Sequence, residues 1–275
     1  MERIFEPFKR KTDVSDQKQA TIIELQEDNI CFYRFIGGNP GETEALSHKL
    51  QNLKKSKPLL IGLFRFPFRF EGKRRKLTAR EQYFIMKDYC DAIIFFHSDE
   101  LMKTIDPSIP IHEAHQAFDA IEERAIGTIR EMVEDTGKVN IDYHDVKAFI
   151  ALNRGPLFIH TIEGRSFDEP LKYLISTPYL PKDFTEAKQL IINIGYTRDV
   201  DMEAFRQINL RLNDLFDKAD LFKIGSYLID KPGHLFNISL LVNGIQDPVA
   251  APLKSNKNMF SKYKKVIRKW LAEPK

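Results

Sequence analysis

Short apolar runs and amphipathic stretches alternate along the chain. Ile22–Leu25 and Ile30–Phe35 are β-prone runs separated by the turn-like Glu27-Asp28-Asn29. Gly37-Gly38-Asn39-Pro40-Gly41 predicts a loop, and a polar helix follows from Glu42 to Leu53. The run Pro58–Phe64 reads as a buried strand. Thr78, with Glu81 three residues on, forms a capping-box pattern and marks a helix start. Ala92–Phe96 is the next buried strand, and strand, loop, helix repeated in this way is the rhythm of an α/β layer.

The longest helix is expected after Pro110. Ala114, Phe118, Ile121, Ala125, Ile129 and Met132 recur at steps of three and four and share a face, with Gly137 as its C-cap. About 25 residues at 1.5 Å each gives a rod of roughly 38 Å, a spine joining two halves. Strands follow at Leu157–Thr161, Leu190–Ile194, Phe222–Ile229 and Leu235–Val242, and helices at Phe167–Ile175 and Asp201–Phe216. In the last strand Phe236, Ile238, Leu240 and Val242 alternate with Asn237 and Ser239, as in a sheet covered on one face. Residues 246 to 258 read as a linker. Met259–Leu271 forms a separate amphipathic unit.

Composition narrows the class. The 275 residues suffice for one large domain or two modest ones. Lys+Arg 42 against Asp+Glu 39 gives a net charge of +3, too small to imply nucleic acid as a partner. The 2 cysteines, Cys31 and Cys90, exclude a disulfide scaffold and a Cys-rich zinc module, and they read as core residues. His112, Glu113 and His115 lack zinc-helix spacing, so no metal is expected. No apolar run reaches the ~18 residues of a membrane span, and the first residues lack a secretory apolar stretch. The default location is the cytoplasm, with membrane association open through the tail.

Three ordered motifs then carry a resemblance. Phe66-Pro67-Phe68-Arg69-Phe70-Glu71-Gly72-Lys73-Arg74-Arg75 resembles the K-P-F-x-F-E-G signature, followed by three basic positions, of the tubulin/FtsZ superfamily. Asn140-Ile141-Asp142-Tyr143-His144-Asp145-Val146 is similar to the N-L-D-F-A-D-V loop of its FtsZ branch, the cell-division GTPases. Ile175-Ser176-Thr177-Pro178-Tyr179-Leu180 is similar to that branch's I-S-S-P-L-L segment. The resemblance covers roughly residues 30 to 245. It implies a truncated Rossmann-like layer over 1–110, a central helix over 111–137 and a shared-site loop with its helix over 138–150. A smaller α+β domain with a four-stranded sheet would span 151–247, and 248–275 would be linker and tail.

The resemblance also implies roles. The glycine-rich phosphate loop of the family corresponds to Gly37, Gly38 and Gly41, with Pro40 and Glu42 among them. Proline has no N–H to donate. A carboxylate ~5 Å from a phosphate costs roughly 3 kcal/mol at an effective dielectric of ~20. Glu71 and Arg75 match positions that touch ribose and phosphates, Asp119 the acceptor for the guanine edge, and His115 the residue stacked on the base. Arg65 replaces a small hydroxyl residue in the same wall. Only 36 residues precede Gly37, too few for two further βα units, so the first part of a nucleotide site is expected to be absent. GTP is the cofactor the resemblance allows, with none certain.

Asn140, Asp142 and Asp145 match the loop that enters a neighbour's site in a head-to-tail filament and polarises the attacking water. The same residues also suit a helix cap and a turn, and sequence leaves both readings standing. A subunit with this loop and a poor pocket of its own would cap or modulate FtsZ-like filaments. The alternative is a divergent self-assembling GTPase. For Met259–Leu271, with an apolar face opposite five cationic residues, the readings are packing on its own body, an anionic membrane surface or a partner's groove. The basic run Lys73–Lys76 reads as a solvated loop face.

Overall fold

The computed structural model describes residues 22–25, 30–56, 59–134, 139–152, 155–164, 177, 179–181, 183–233 and 235–250. The expected helix Phe167–Ile175 and the tail Met259–Leu271 lie outside them. The elements are β1 (Ile22–Leu25), β2 (Ile30–Ile36), α1 (Thr43–Ser56), β3 (Leu59–Phe66), α2 (Lys73–Tyr89), β4 (Ala92–His97), α3 (Ser98–Met102), α4 (Ile111–Glu134), α5 (Tyr143–Leu152), β5 (Pro156–Gly164), β6 (Gln189–Thr197), α6 (Met202–Leu215), β7 (Leu221–Ile229) and β8 (Phe236–Asn243).

The strands form a mixed sheet in the order β1-β2-β3-β4-β5-β8-β6-β7. β2, β3 and β4 run parallel, and β1 turns back antiparallel along β2. β4 meets β5 at Ile93↔Pro156 and Ile94↔Leu157, so the two halves share one continuous sheet. On one face Cys31, Tyr33 and Phe35 pack with Leu46 and Leu50 of α1 and Tyr83 and Met86 of α2. On the other, Phe32, Ile61 and Ile94 pack with Phe118, Ala125, Ile129 and Met132 of α4 and Phe149 of α5. Both cysteines are buried, as expected, and burial pushes the Cys90 thiol well up.

Three expectations change. α2 begins at Lys73, five residues before the expected Thr78. The break that starts it is Gly72, at φ 91°, a backbone setting that favours glycine, and Thr78 lies inside the helix. β8 is buried at every position rather than on one face, because helices cover both: Phe236, Ile238, Leu240 and Val242 cluster with Ile208 and Leu212 of α6, and Leu241 with Met132 of α4 and Phe149 of α5. Its polar residues line an inner layer: Ser239 hydroxyl meets Thr161 at 3.1 Å, Thr161 meets Thr128 of α4 at 2.6 Å, and Asn237 donates to Tyr227 at 2.8 Å. Finally, the expected linker begins as part of the body. Val249 is buried, and Asp247 accepts from the Tyr83 hydroxyl at 3.0 Å and pairs with Lys87.

Candidate functional site

β2 ends in the loop Gly37–Thr43, whose amides are donated almost entirely inward. Gly37 N–H reaches the Arg65 carbonyl at 3.0 Å, and Gly38 N–H reaches buried Gln82 Oε1 at 2.7 Å. Gly41 N–H bonds Asn39 Oδ1 at 3.1 Å, Glu42 N–H the Asn39 carbonyl at 3.2 Å, and Thr43 N–H the Pro40 carbonyl. Pro40 opens a short 3-10 turn and contributes no donor. The Gln82 amide closes the arrangement by donating to the Asn39 carbonyl at 2.7 Å and the Thr43 hydroxyl at 3.0 Å.

Glu71 and Arg75 lie beside this loop and hold each other at 2.7 Å, one helical turn apart. Arg75 lies so close over Gly38 (φ 115°) that a Cβ there would meet Arg75 Cγ at 2.4 Å. Gly38 is therefore explained by the arginine above it, with no ligand needed.

Behind the loop lies a layer of buried charge. Arg34 and Arg65 stand on adjacent parallel strands, both on the face toward α4. Arg65 holds Asp119 at 2.5 Å through Nη2 and Glu122 at 2.5 Å through Nε. Arg34 lies 3.1 Å from Glu122 through Nε and 2.6 Å from Glu123 through Nη2. Burial works against the Arg65 charge, and Glu122 and Asp119 outweigh it, so its affinity for the proton rises. Burial pushes the Glu122 carboxyl up, with Arg65 and Arg34 pulling it back. Asp119, expected to accept from a guanine edge, is thus held by Arg65. His115 is exposed and edge-on to Phe118 at 6.1 Å, where Arg65 lies over the ring at 5.8 Å.

The second cluster follows α4. Asp142 caps α5: its Oδ1 accepts from Asp145 N–H at 2.9 Å, and Asp145 Oδ2 accepts from Asp142 N–H at 3.0 Å. Lys223 of β7 pairs with Asp145. Buried Ile141 pins the loop into a notch at Gly225, where a Cβ would meet Ile141 Cδ1 at 2.6 Å. The Val139 carbonyl accepts from Ser226 N–H at 2.9 Å. Asn140 and Asp142 stay exposed on this seat. The capping geometry and an outward-facing acidic loop coexist in the same residues.

His115 and Asp119 lie near the start of α4, and Asn140, Asp142 and Asp145 follow its end. From Asp119 to the end of α4 at Glu134 the helix rises ~22 Å at ~1.5 Å per residue, so the two clusters lie at separate places along it. No metal-binding group of three His, Cys, Asp or Glu occurs among the described residues.

No protein-family model matches the chain. It is 28% identical over 228 residues to cell division protein FtsZ 1 of Thermococcus kodakarensis, covering 82% of this chain and 60% of that one. It is 27% identical over 218 residues to FtsZ of Methanothermobacter thermautotrophicus, covering 78% and 56%. Among solved structures, the FtsZ dimer of M. jannaschii superposes with a TM-score of 0.65 at 20% identity, over 82% of this chain and 69% of that one. CetZ of Methanosaeta thermophila gives 0.64 at 15% identity, over 88% and 66%. The chain's sequence relatives are FtsZ proteins, and its fold is that of the tubulin/FtsZ superfamily. It spans about 60% of the length of the first of these curated relatives and 56% of the second.

Within the superfamily fold, sequence reasoning missed Arg34, Gln82 and Glu122. A signal was there for two of them. Arg34 interrupts the apolar run Ile30–Phe35, and Glu122 stands beside the apolar face of α4, so each needed a charged partner. Gln82, inside a polar helix, gave none.

Proposed function

We propose that this chain is an FtsZ-like interaction subunit that docks on FtsZ-type filaments through the loop Asn140–Asp145 and does not turn over GTP in its own pocket. The observation that carries this reading is the inward commitment of the pocket. Five loop amides already have protein acceptors, and Arg65 occupies Asp119. A phosphate at this loop would have to displace internal hydrogen bonds, each worth ~1 kcal/mol, and face Glu42. The loop at the far end of α4 is instead seated firmly and exposed, as docking into a neighbour requires. A cytoplasmic setting belongs to the same reading. Among the described residues no helix is long and apolar enough to cross a membrane. Contact with anionic lipid through Met259–Leu271 is a separate arm, tested by liposome co-sedimentation with and without residues 259–275.

The deciding experiment titrates the chain with a fluorescent guanine nucleotide and then adds it to an authentic FtsZ. The expected result is no micromolar nucleotide binding, together with altered GTP turnover and filament sedimentation that depend on Asp142 and Asp145. Micromolar GTP binding with hydrolysis that requires Asp142 and Asp145 would instead establish the self-assembling GTPase. Neither effect would leave only the scaffold in common.

A further inference from the structure

α2 leaves a second surface unexplained by that reading. Between its first two turns and the ends of β3 and β4 lies an open pocket of about 440 Å³. Its floor is carbon: Phe66 and His97 rings lie 5.4 Å apart, and Leu77 stands beside them with 62% of its surface exposed. Its rim is cationic: Lys73, Lys76 and Arg80 come from α2, and Arg69 from the preceding turn. Lys73, Lys76, Leu77 and Arg80 recur at steps of three, one and three, so they share one helix face.

The charge balance around the pocket is one-sided. Asp99 is already taken, by Arg69 at 3.1 Å, and Glu100 by Lys103 at 2.6 Å. Lys73 and half-buried Lys76 have no carboxylate partner among the described residues. The pocket lies on the face of the sheet opposite α4, away from the buried Arg65–Glu122 layer and from the loop Asn140–Asp145.

We infer that this pocket is a docking site for an acidic polypeptide segment of another protein, one apolar side chain seating against Phe66, Leu77 and His97 while flanking carboxylates meet Lys73, Lys76 and Arg80. An exposed leucine on a carbon floor rewards an apolar anchor. The unpartnered lysines reward carboxylates on either side. A free phosphate calls for converging donors around one point, whereas these amines are spread along a rim. The chain's own tail does not suit, since Lys262, Lys264, Lys265, Arg268 and Lys269 repeat the pocket's charge.

His97 gives the site a spectroscopic reporter. Its Nδ1 accepts from Asp99 N–H at 3.3 Å. Burial lowers its pKa, Arg69 and Lys76 lower it further, and Asp99 and Glu100 partly offset them; Lys73 and Arg80 complete the charges facing the pocket. A bound carboxylate opposes those cations and shifts the His97 titration upward.

The test is a fluorescence-polarisation titration of the full chain with a labelled peptide of glutamates and aspartates around one central phenylalanine. Saturable binding is expected, weakened about tenfold by K73E/K76E and several-fold by L77S, or by serine in place of the phenylalanine. Lys73 and Leu77 are exposed and Lys76 is only half-buried, so circular dichroism melts should match the parent and exclude misfolding. His97 should titrate at higher pH in the complex. Affinity indifferent to the charge reversal or to the phenylalanine overturns the inference. So does displacement by equimolar tripolyphosphate that L77S leaves unchanged, which would mark a phosphate site, or tighter competition by a polyuridine strand, which would mark a nucleic-acid surface.

Discussion

Glu122 is the residue on which the buried charge layer turns. It is 1% exposed and lies between two guanidinium groups that are themselves buried. Removing one partner of such a pair leaves the other uncompensated, at a cost of about 3–5 kcal/mol. Glu122→Gln should therefore lower unfolding stability by about that amount in urea, with an unchanged m-value. Replacing Arg34, Arg65 and Glu122 together by apolar residues of similar volume should cost less than the single change, because no charge is then stranded. A single-variant loss below ~1 kcal/mol would mean that solvent screens the layer. Asp145 behaves differently because it is partly exposed. Burial raises its carboxyl, yet the Lys223 ammonium and the Asp142 amide hold it below the ordinary aspartate value. A depressed carboxylate stabilises the fold above its unfolded pKa of ~3.9, and the gain is lost as pH falls through the folded value. The stability gap between the parent and Asp145→Asn should thus be present at pH 6 and narrow as pH falls below ~3.9 in urea titrations.

At the level of elements, ends and turns carry the information that periodicity does not. The Asp142 cap should be worth about 1 kcal/mol, lost in Asp142→Ala and mostly kept in Asp142→Asn, since a carboxylate oxygen and an amide oxygen can each accept from Asp145 N–H. Gly38→Ala should be worse, about 1–3 kcal/mol, because it strains φ and drives a methyl into Arg75; a thermal melt that is unchanged would contradict the close approach. Most strands and α4 were legible because an apolar run or a 3.6-residue repeat is a local signal. The start of α2 was not, because Lys73-Arg74-Arg75-Lys76 shows no apolar face and the break at Gly72 is a matter of φ. The alternation in β8 marks two faces, but nothing local says that both are covered. Whether a polar row meets water or Thr128 of α4 depends on a helix more than a hundred residues away in the chain. The same non-locality hid the inward turn of the phosphate-type loop: its acceptor Gln82 is 44 positions from Gly38.

The whole molecule is held together by a narrow seam and a long brace. β4 and β5 pair at only two positions, against nine between β6 and β7, so strand pairing alone would let the halves part. α4 supplies the rest. Its first half receives Arg34 and Arg65 from β2 and β3, and its second half meets Thr161 of β5 through Thr128. Asp247, just beyond β8, returns to Tyr83 and Lys87 of α2 on the opposite face. With both faces spanned, unfolding one half exposes the core of the other, and the two should melt together. Labelling of buried Cys31 and Cys90 reports the first half, and amide exchange in β6 and β8 reports the second. In denaturant both should give one midpoint and one free energy. Two separated transitions would show that α4 fails to couple the halves. Under the proposed docking, that rigidity fixes how the Asn140–Asp145 loop is presented, beyond the end of α4 and ~18 Å along that helix from Glu122. A break in the brace, as in Thr128→Ala paired with Asp247→Ala, should then separate the two midpoints while leaving each half's secondary structure in place.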